Sequence, residues 1–408
     1  MKTKFAALLL SLTWLSTSAF AQGPLIPPGP PGSPLADMPS LKQVKEAALA
    51  CRKEIPAGTV TVQITAPGSY VLCGNLTVAT GDGILIKSDC VTLDLNGFCI
   101  SSSNPARTGA GITVEGPHAD VTIRNGHITG AVVYDPQNTS APWSGNGFAD
   151  GINLRPDGVN FADNVNIDTI TVSRVGRHGI YCGEAVVVNS NTPPVIAVSV
   201  SSNVRDCSIR LCGGAGIVAT NVVQCVARQT FVQGIVGHSA ANCSASSYTS
   251  DGIVAYTASN CYGTSDGAGR GVAGHQSLNC VGSSQTGYGL EAFNATNCQG
   301  TSASSRGLFA DTATNCQGTS VSSYGLWATV ATGSVGTSTT GPGINALRLV
   351  SHCSGKGKPG ITSPMVSHGV GEGLAGTAAI QSQKAFGCYS VAGIISATEA
   401  SDFNTVAP

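Results

Sequence analysis

Charged residues make up only 11% of this 408-residue chain, against about 25% in an ordinary soluble domain, so its exterior has to be built from neutral polar groups. An excess of one sign is missing too. The 21 Lys and Arg face 22 Asp and Glu, which leaves no polyanion-binding surface and argues against nucleic acid as a partner. Aromatics stand at 5% with only three Met, so a core must consist of small and aliphatic side chains. The absence of Cys-x-x-Cys, and of a His beside the regularly spaced cysteines described below, argues against a zinc site. The absence of Gly-Gly-x-Gly-x-Asp excludes nonapeptide calcium rolls. Disorder is excluded in turn, because Val, Ile and Leu recur throughout and net charge is near zero.

Long apolar runs are absent except at the start. Lys2 and Lys4 precede Phe5 to Trp14, and Ala19-Phe20-Ala21 supplies the small-x-small pattern read by signal peptidase. Residues 1–21 are therefore expected to be a signal peptide of the bacterial type, its apolar part shorter than the ~20 residues a membrane span needs. The mature chain is expected to be secreted, periplasmic or extracellular, with no membrane span. Residues 22–40 carry seven prolines and read as an extended polyproline linker. Ser40 can then cap Leu41 to Ala50, whose apolar residues fall at helical spacing, so a short N-terminal helix or cap is expected over 41–54.

What the chain has in abundance is repetition. Cys207, Cys225, Cys243, Cys261, Cys280, Cys298 and Cys316, with Ser334 next, are separated by 18 or 19 residues. A second column, Gly followed by Ile, Val or Leu, runs through Gly216, Gly234, Gly252, Gly271, Gly289, Gly307, Gly325 and Gly343. A third, Asn242, Asn260, Asn279, Asn297 and Asn315, stands directly before the cysteines. The unit is too short for a helix pair and too rich in Gly, Ser, Thr and Asn for helix. A chain winding once per unit would stack equivalent strands at ~4.8 Å and turn each column into a physical ladder. The expected fold is all-β, a right-handed parallel β-helix of about twelve coils over residues 55–350, with 18-residue coils in its C-terminal half. Looser coils at Gly83, Gly111, Gly151 and Gly179 imply inserted loops. The period degrades after residue 350, so 351–408 read as irregular coils and a cap.

Asp89 to Ile100, Asp-Cys-Val-Thr-Leu-Asp-Leu-Asn-Gly-Phe-Cys-Ile, followed by Val121-Thr122-Ile123-Arg124-Asn125-Gly126, resembles the opening coils of right-handed parallel β-helix proteins. These are the pectate-lyase-like repeats of carbohydrate-binding proteins and sugar hydrolases. The resemblance covers roughly residues 55–350 and implies the fold and a polysaccharide or cell-surface glycan as partner, without fixing an activity. Hydrolases of that group use close carboxylates, and this sequence has no Asp-Asp pair and no Gly-His-Gly. Arg177-His178-Gly179 and Ser367-His368-Gly369 are partial echoes. The lyases need a calcium-binding carboxylate cluster and a base, so calcium is implied only if the protein is a lyase, and no other cofactor is expected.

Two surfaces stand out. Charge concentrates in residues 101–184, where Asp150 and His178 occupy the position before Gly in successive coils and the ladder would bring them within hydrogen-bonding reach. With Arg155 and Tyr181 they can supply an oriented base, a carboxylate clamp and a proton donor; the reading preferred over this is a surface ladder that pairs Asp with His and carries no chemistry. Arg124, His127, Arg174 and Glu184 share that neighbourhood. In the regular coils, Tyr288, Arg306 and Tyr324 precede Gly, Phe309 and Trp327 follow it, and Phe293, His275 and Tyr256 lie two residues further along. Tyr288, Phe293, Arg306, Phe309, Tyr324 and Trp327 form a candidate glycan-binding strip, since sugar C–H faces pack on aromatic rings; simple strengthening of the ladder is the alternative. The cysteines are expected to stack as small apolar thiols, because side chains in register lie alongside each other and suit disulfide geometry poorly. The column Thr264, Ser283, Thr301, Thr319 and Thr337 resembles an ice-binding array, but its irregular neighbours Tyr262, Val281, Gln299, Gln317 and Val335 argue against that.

Overall fold

The computed structural model describes residue 40, residue 43 and residues 52–138, 143–154, 162–183, 185–188, 195–198, 201–400 and 404–406. The signal peptide, the linker, most of the expected N-terminal helix, Arg155 and Glu184 lie outside the described residues. The chain divides into two units, Met1–Cys51 and Arg52–Pro408. In the first, the Ser40 amide donates to Gln43 Oε1 at 2.8 Å and the Gln43 amide to Ser40 Oγ at 3.1 Å, the reciprocal capping arrangement of a helix start.

The second unit is a parallel β-solenoid, each strand pairing in register with its equivalent one turn on. A coil has three faces. In the coil of Leu290–Thr296 and Gln299–Ser302, residues 290–292 lie on the first face, 294–296 on the second and 299–302 on the third. The second-face ladder runs unbroken from Arg52 through Asn166 and Asn294 to Glu399 in seventeen rungs. That exceeds the twelve coils expected, because coils at both ends lack the Gly marker: Thr61 precedes Val62 and Ala379 precedes Ile380. Strand structure starts at Arg52, inside the 41–54 segment. The first-face ladder likewise continues through Ile344, Ile361, Ile380 and Ile395, so the coils carry on past residue 350.

The Asn, the Cys after it, and the Gly and Ser that follow two and four residues beyond the Cys each have a job at a corner or under a face. Asn242, Asn260, Asn279, Asn297 and Asn315 turn the chain with φ between 51° and 54°, a left-handed conformation that Asn tolerates better than most residues. Their amides also join coil to coil, Asn297 Nδ2 reaching Asn279 Oδ1 at 3.2 Å. The cysteines after them point inward, are buried, and are free thiols, as is every other described cysteine. Cys316 Sγ donates to Thr314 O at 3.2 Å and lies 3.4 Å from Ala295 O; Ser334 Oγ makes the equivalent contacts to Thr332 O and Ala313 O at 3.0 and 3.3 Å. Hydrogen bonding between neighbouring thiols, with burial, pushes Cys280 and Cys316 up. The Gly lets backbones meet: a Cβ on Gly318 would sit 2.1 Å from Gly325 O. The final Ser clasps the turn, Ser302 Oγ donating to Gly287 O at 2.7 Å and accepting from the Ser305 amide at 2.9 Å.

The looser coils carry antiparallel hairpins in place of tight turns. Val133–Tyr134 pairs with Trp143–Ser144, and Ala185–Val188 with Val195–Val198. The second hairpin lies against Ile235–Ala241 and Ile253–Ser259, where the outward Val236 and Val254 are buried.

Candidate functional site

The charged candidate site is a corner. Asp150 is 1% exposed, and its Oδ1 accepts from Arg177 Nε at 3.2 Å and the His178 amide at 3.0 Å. Its Oδ2 accepts from Asn153 Nδ2 at 3.2 Å and from Arg177 Nη2. The ladder was expected to bring the Asp150 and His178 side chains into hydrogen-bonding reach, and it brings Asp150 to the main chain of His178 instead. The imidazole faces elsewhere: Nδ1 accepts the Ala215 amide at 3.1 Å, which places the neutral ring's proton on Nε2, and the ring stacks on Tyr181 with centroids 4.7 Å apart. Burial pushes the His178 pKa down, Arg177 adds to this and Asp150 opposes it. The hydrogen bond to Asp150 pushes Arg177 up.

The same device recurs where no catalysis was suspected. Asp82 and Asp251 also precede Gly, and each accepts the amide one coil on, from Ala110 at 2.7 Å and from Arg270 at 2.6 Å. The Arg270 side chain then joins Asp251 to Glu291 at 2.9 and 2.6 Å. A carboxylate here holds the next turn of backbone, and Asp150 does that work with its lone pairs engaged. Arg177, the ion-pair partner, sits beside rather than in the ladder column, so spacing does not single it out. Arg124 belongs to the second face, bonded to Asp94 at 3.2 Å. Asn166 and Asp168 form an Asn-x-Asp step on that face, and both are engaged along the ladder, by Asn203 at 3.0 Å and Arg205 at 3.4 Å.

The aromatic candidate residues assemble in two groups. The Arg306 guanidinium carbon lies 5.4 Å from the Tyr288 ring centre, 4.7 Å from Phe309, 5.7 Å from Tyr324 and 4.9 Å from Trp327. Phe309 and Trp327 are 4.6 Å apart and tilted by 42°. A cation among four rings fixes their orientation. Phe293 does not join them. It ends a separate stack, His238, Tyr256, His275, Phe293, with centroids 5.1, 4.7 and 5.0 Å apart and planes within 14°. Its position two residues along the strand puts it in a different ladder, next to Asp311 of the following coil. Rings stacked this way spend their faces on each other and show edges outward. Trp327 differs: Phe309 covers one side, and beyond it the register continues to Asn345, Thr362 and Gln381, which line a groove of about 440 Å³ with exposed Leu347.

Among the described residues no group of three His, Cys, Asp or Glu is placed to hold a metal ion, and no helix is long and apolar enough to cross a membrane. Neither a family profile nor a curated relative matches the chain. Among solved structures, the A-module of Azotobacter vinelandii mannuronan C-5 epimerase AlgE6 aligns over 90% of this chain and 94% of that one, at 12% identity and a TM-score of 0.27.

Proposed function

We propose that this protein is a secreted, non-catalytic solenoid that binds polysaccharide or cell-surface glycan along its side. The observation that carries the reading is the Trp327 platform. Its ring packs with Arg306 and Phe309, and Asn345, Thr362 and Gln381 follow it in register along the ladder. An apolar face for sugar C–H groups followed by neutral amides and a hydroxyl is the composition of a carbohydrate site. Retention of the full chain on a panel of immobilised neutral and acidic glycans tests it. Trp327→Ala should abolish retention on the glycan that binds, with the fold intact, and unchanged retention would refute the proposal.

A polysaccharide lyase or hydrolase acting on an acidic glycan is the second reading, centred on Asp150 and His178. It is the weaker because four donors already occupy the Asp150 carboxylate. A general acid or base needs a lone pair or proton free for substrate. New reducing or unsaturated ends that vanish in His178→Ala would establish it.

A further inference from the structure

Charges on this surface are compensated along the stacking direction. On the second face Asp94, Arg124, Asp168 and Arg205 occupy successive rungs and alternate in sign, with ion pairs of 3.2 Å for Arg124–Asp94 and 3.4 Å for Arg205–Asp168. Lys87–Glu115, Lys356–Glu372 and Lys384–Glu399 follow the same rule at 2.8, 2.7 and 3.0 Å.

The third face breaks it. Arg210 and Arg228 are partners on adjacent rungs, ~4.8 Å apart along the stack, and like charges directly opposite are unfavourable. Both are exposed. Among the described residues neither has a carboxylate partner; Arg210 Nε donates to the neutral Gln229 Oε1 at 3.0 Å. The backbone departs from regular strand at the same place. Leu211 and Gln229, each directly after an arginine, have φ of 62° and 56°, and Leu is seldom found there. Register with the next coil slips between Ala227 and Thr230, an irregularity that bends a strand and re-aims side chains. The result is a groove of about 570 Å³ in which Ser208, Gln229 and Ser246 surround the two arginines.

We propose that this groove binds the anionic group, carboxylate or sulfate ester, of an acidic polysaccharide. Arginines on adjacent rungs can both turn N–H donors to one oxyanion, which supplies the negative charge that the neighbouring rungs omit, while the two serines and Gln229 meet sugar hydroxyls. Nucleic acid fits less well, since it calls for several phosphate contacts, and the groove is lined by two cations. The site is on a different face from the Trp327 platform and does not depend on it.

Affinity electrophoresis of the full chain through gels containing a polyuronate, a sulfated galactan or duplex DNA tests the proposal. The wild type should be retarded by at least one of the two glycans, and which one identifies the group bound. Arg228→Glu restores alternation of sign, so its thermal midpoint should match or exceed that of the wild type while retardation weakens at least about tenfold. Lys384→Ala, which removes a cation paired with Glu399 far from the groove, should be retarded as the wild type is. Three results would each overturn the proposal: no retardation by either glycan, equal retardation of Arg228→Glu, or DNA retarding the chain as strongly as the glycans.

Discussion

The coils before residue 213 and those after it close the same ladder by different means. The early coils fill their interior with Ile64, Leu72, Leu76, Ile84, Leu93, Ile112 and Ile123, all fully buried or nearly so, and they tolerate inserted hairpins. The later coils fill theirs with Leu290, Ala292, Ala295 and Cys298, then Leu308, Ala310, Ala313 and Cys316. They replace side-chain volume with backbone proximity, through glycines pressed against the next coil and serines clasping each turn. Large cores absorb irregularity. Thin cores need every coil to be alike, which is why only the later coils keep a strict period.

Substitutions should separate the two regimes. Leu93→Ala in the early coils should cost about 3–4 kcal/mol in denaturant-unfolding free energy, since a fully buried side chain leaves a cavity. Gly318→Ala in the later coils should cost about 3 kcal/mol, because its Cβ would meet Gly325 O at 2.1 Å. Gly97→Ala, with no atom within 4 Å and only a φ of 76° to oppose it, should cost about 1 kcal/mol. Equal costs at Gly318 and Gly97 would break the contrast. Asp150→Asn should cost about 2 kcal/mol, less than a fully buried ion pair because Arg177 is largely exposed.

Acidity probes an early corner through His178. His178 has its pKa lowered by burial, so below about 6.5 the unfolded chain binds the proton more readily than the folded one. Stability should therefore fall as pH drops from 7 to 5, and the fall should be shallower in His178→Asn. Smallest of all should be Cys298→Ser, within about 1 kcal/mol, since Ser334 already makes the same two hydrogen bonds in the same column. Reductant should leave the melting temperature unchanged, because the described thiols are free.

The fold was legible because a ladder writes itself into the sequence as columns: Asn, Cys and Gly at fixed spacing each meet one geometric demand. The cluster around Arg306 was legible for the same reason, its members being neighbours across adjacent coils. Phe293 was misplaced because an outward position two residues along a strand belongs to another ladder. The roles of Asp150 and His178 were not legible, since an amide donor leaves no mark in residue type, and the clue was instead that Asp82 and Asp251 share the position. Beyond residue 350 the columns blur, because Lys356–Glu372 and His352–His368, the two rings stacked at 4.8 Å, serve where Thr and Asn serve elsewhere.

The most direct trial of the account is to measure glycan retention and product release together, on wild type and Trp327→Ala. The account predicts a glycan held by the wild type, released by the variant, and returned from both uncut. Cleavage or unsaturation of that glycan by the wild type, lost in His178→Ala and kept in Trp327→Ala, would contradict it.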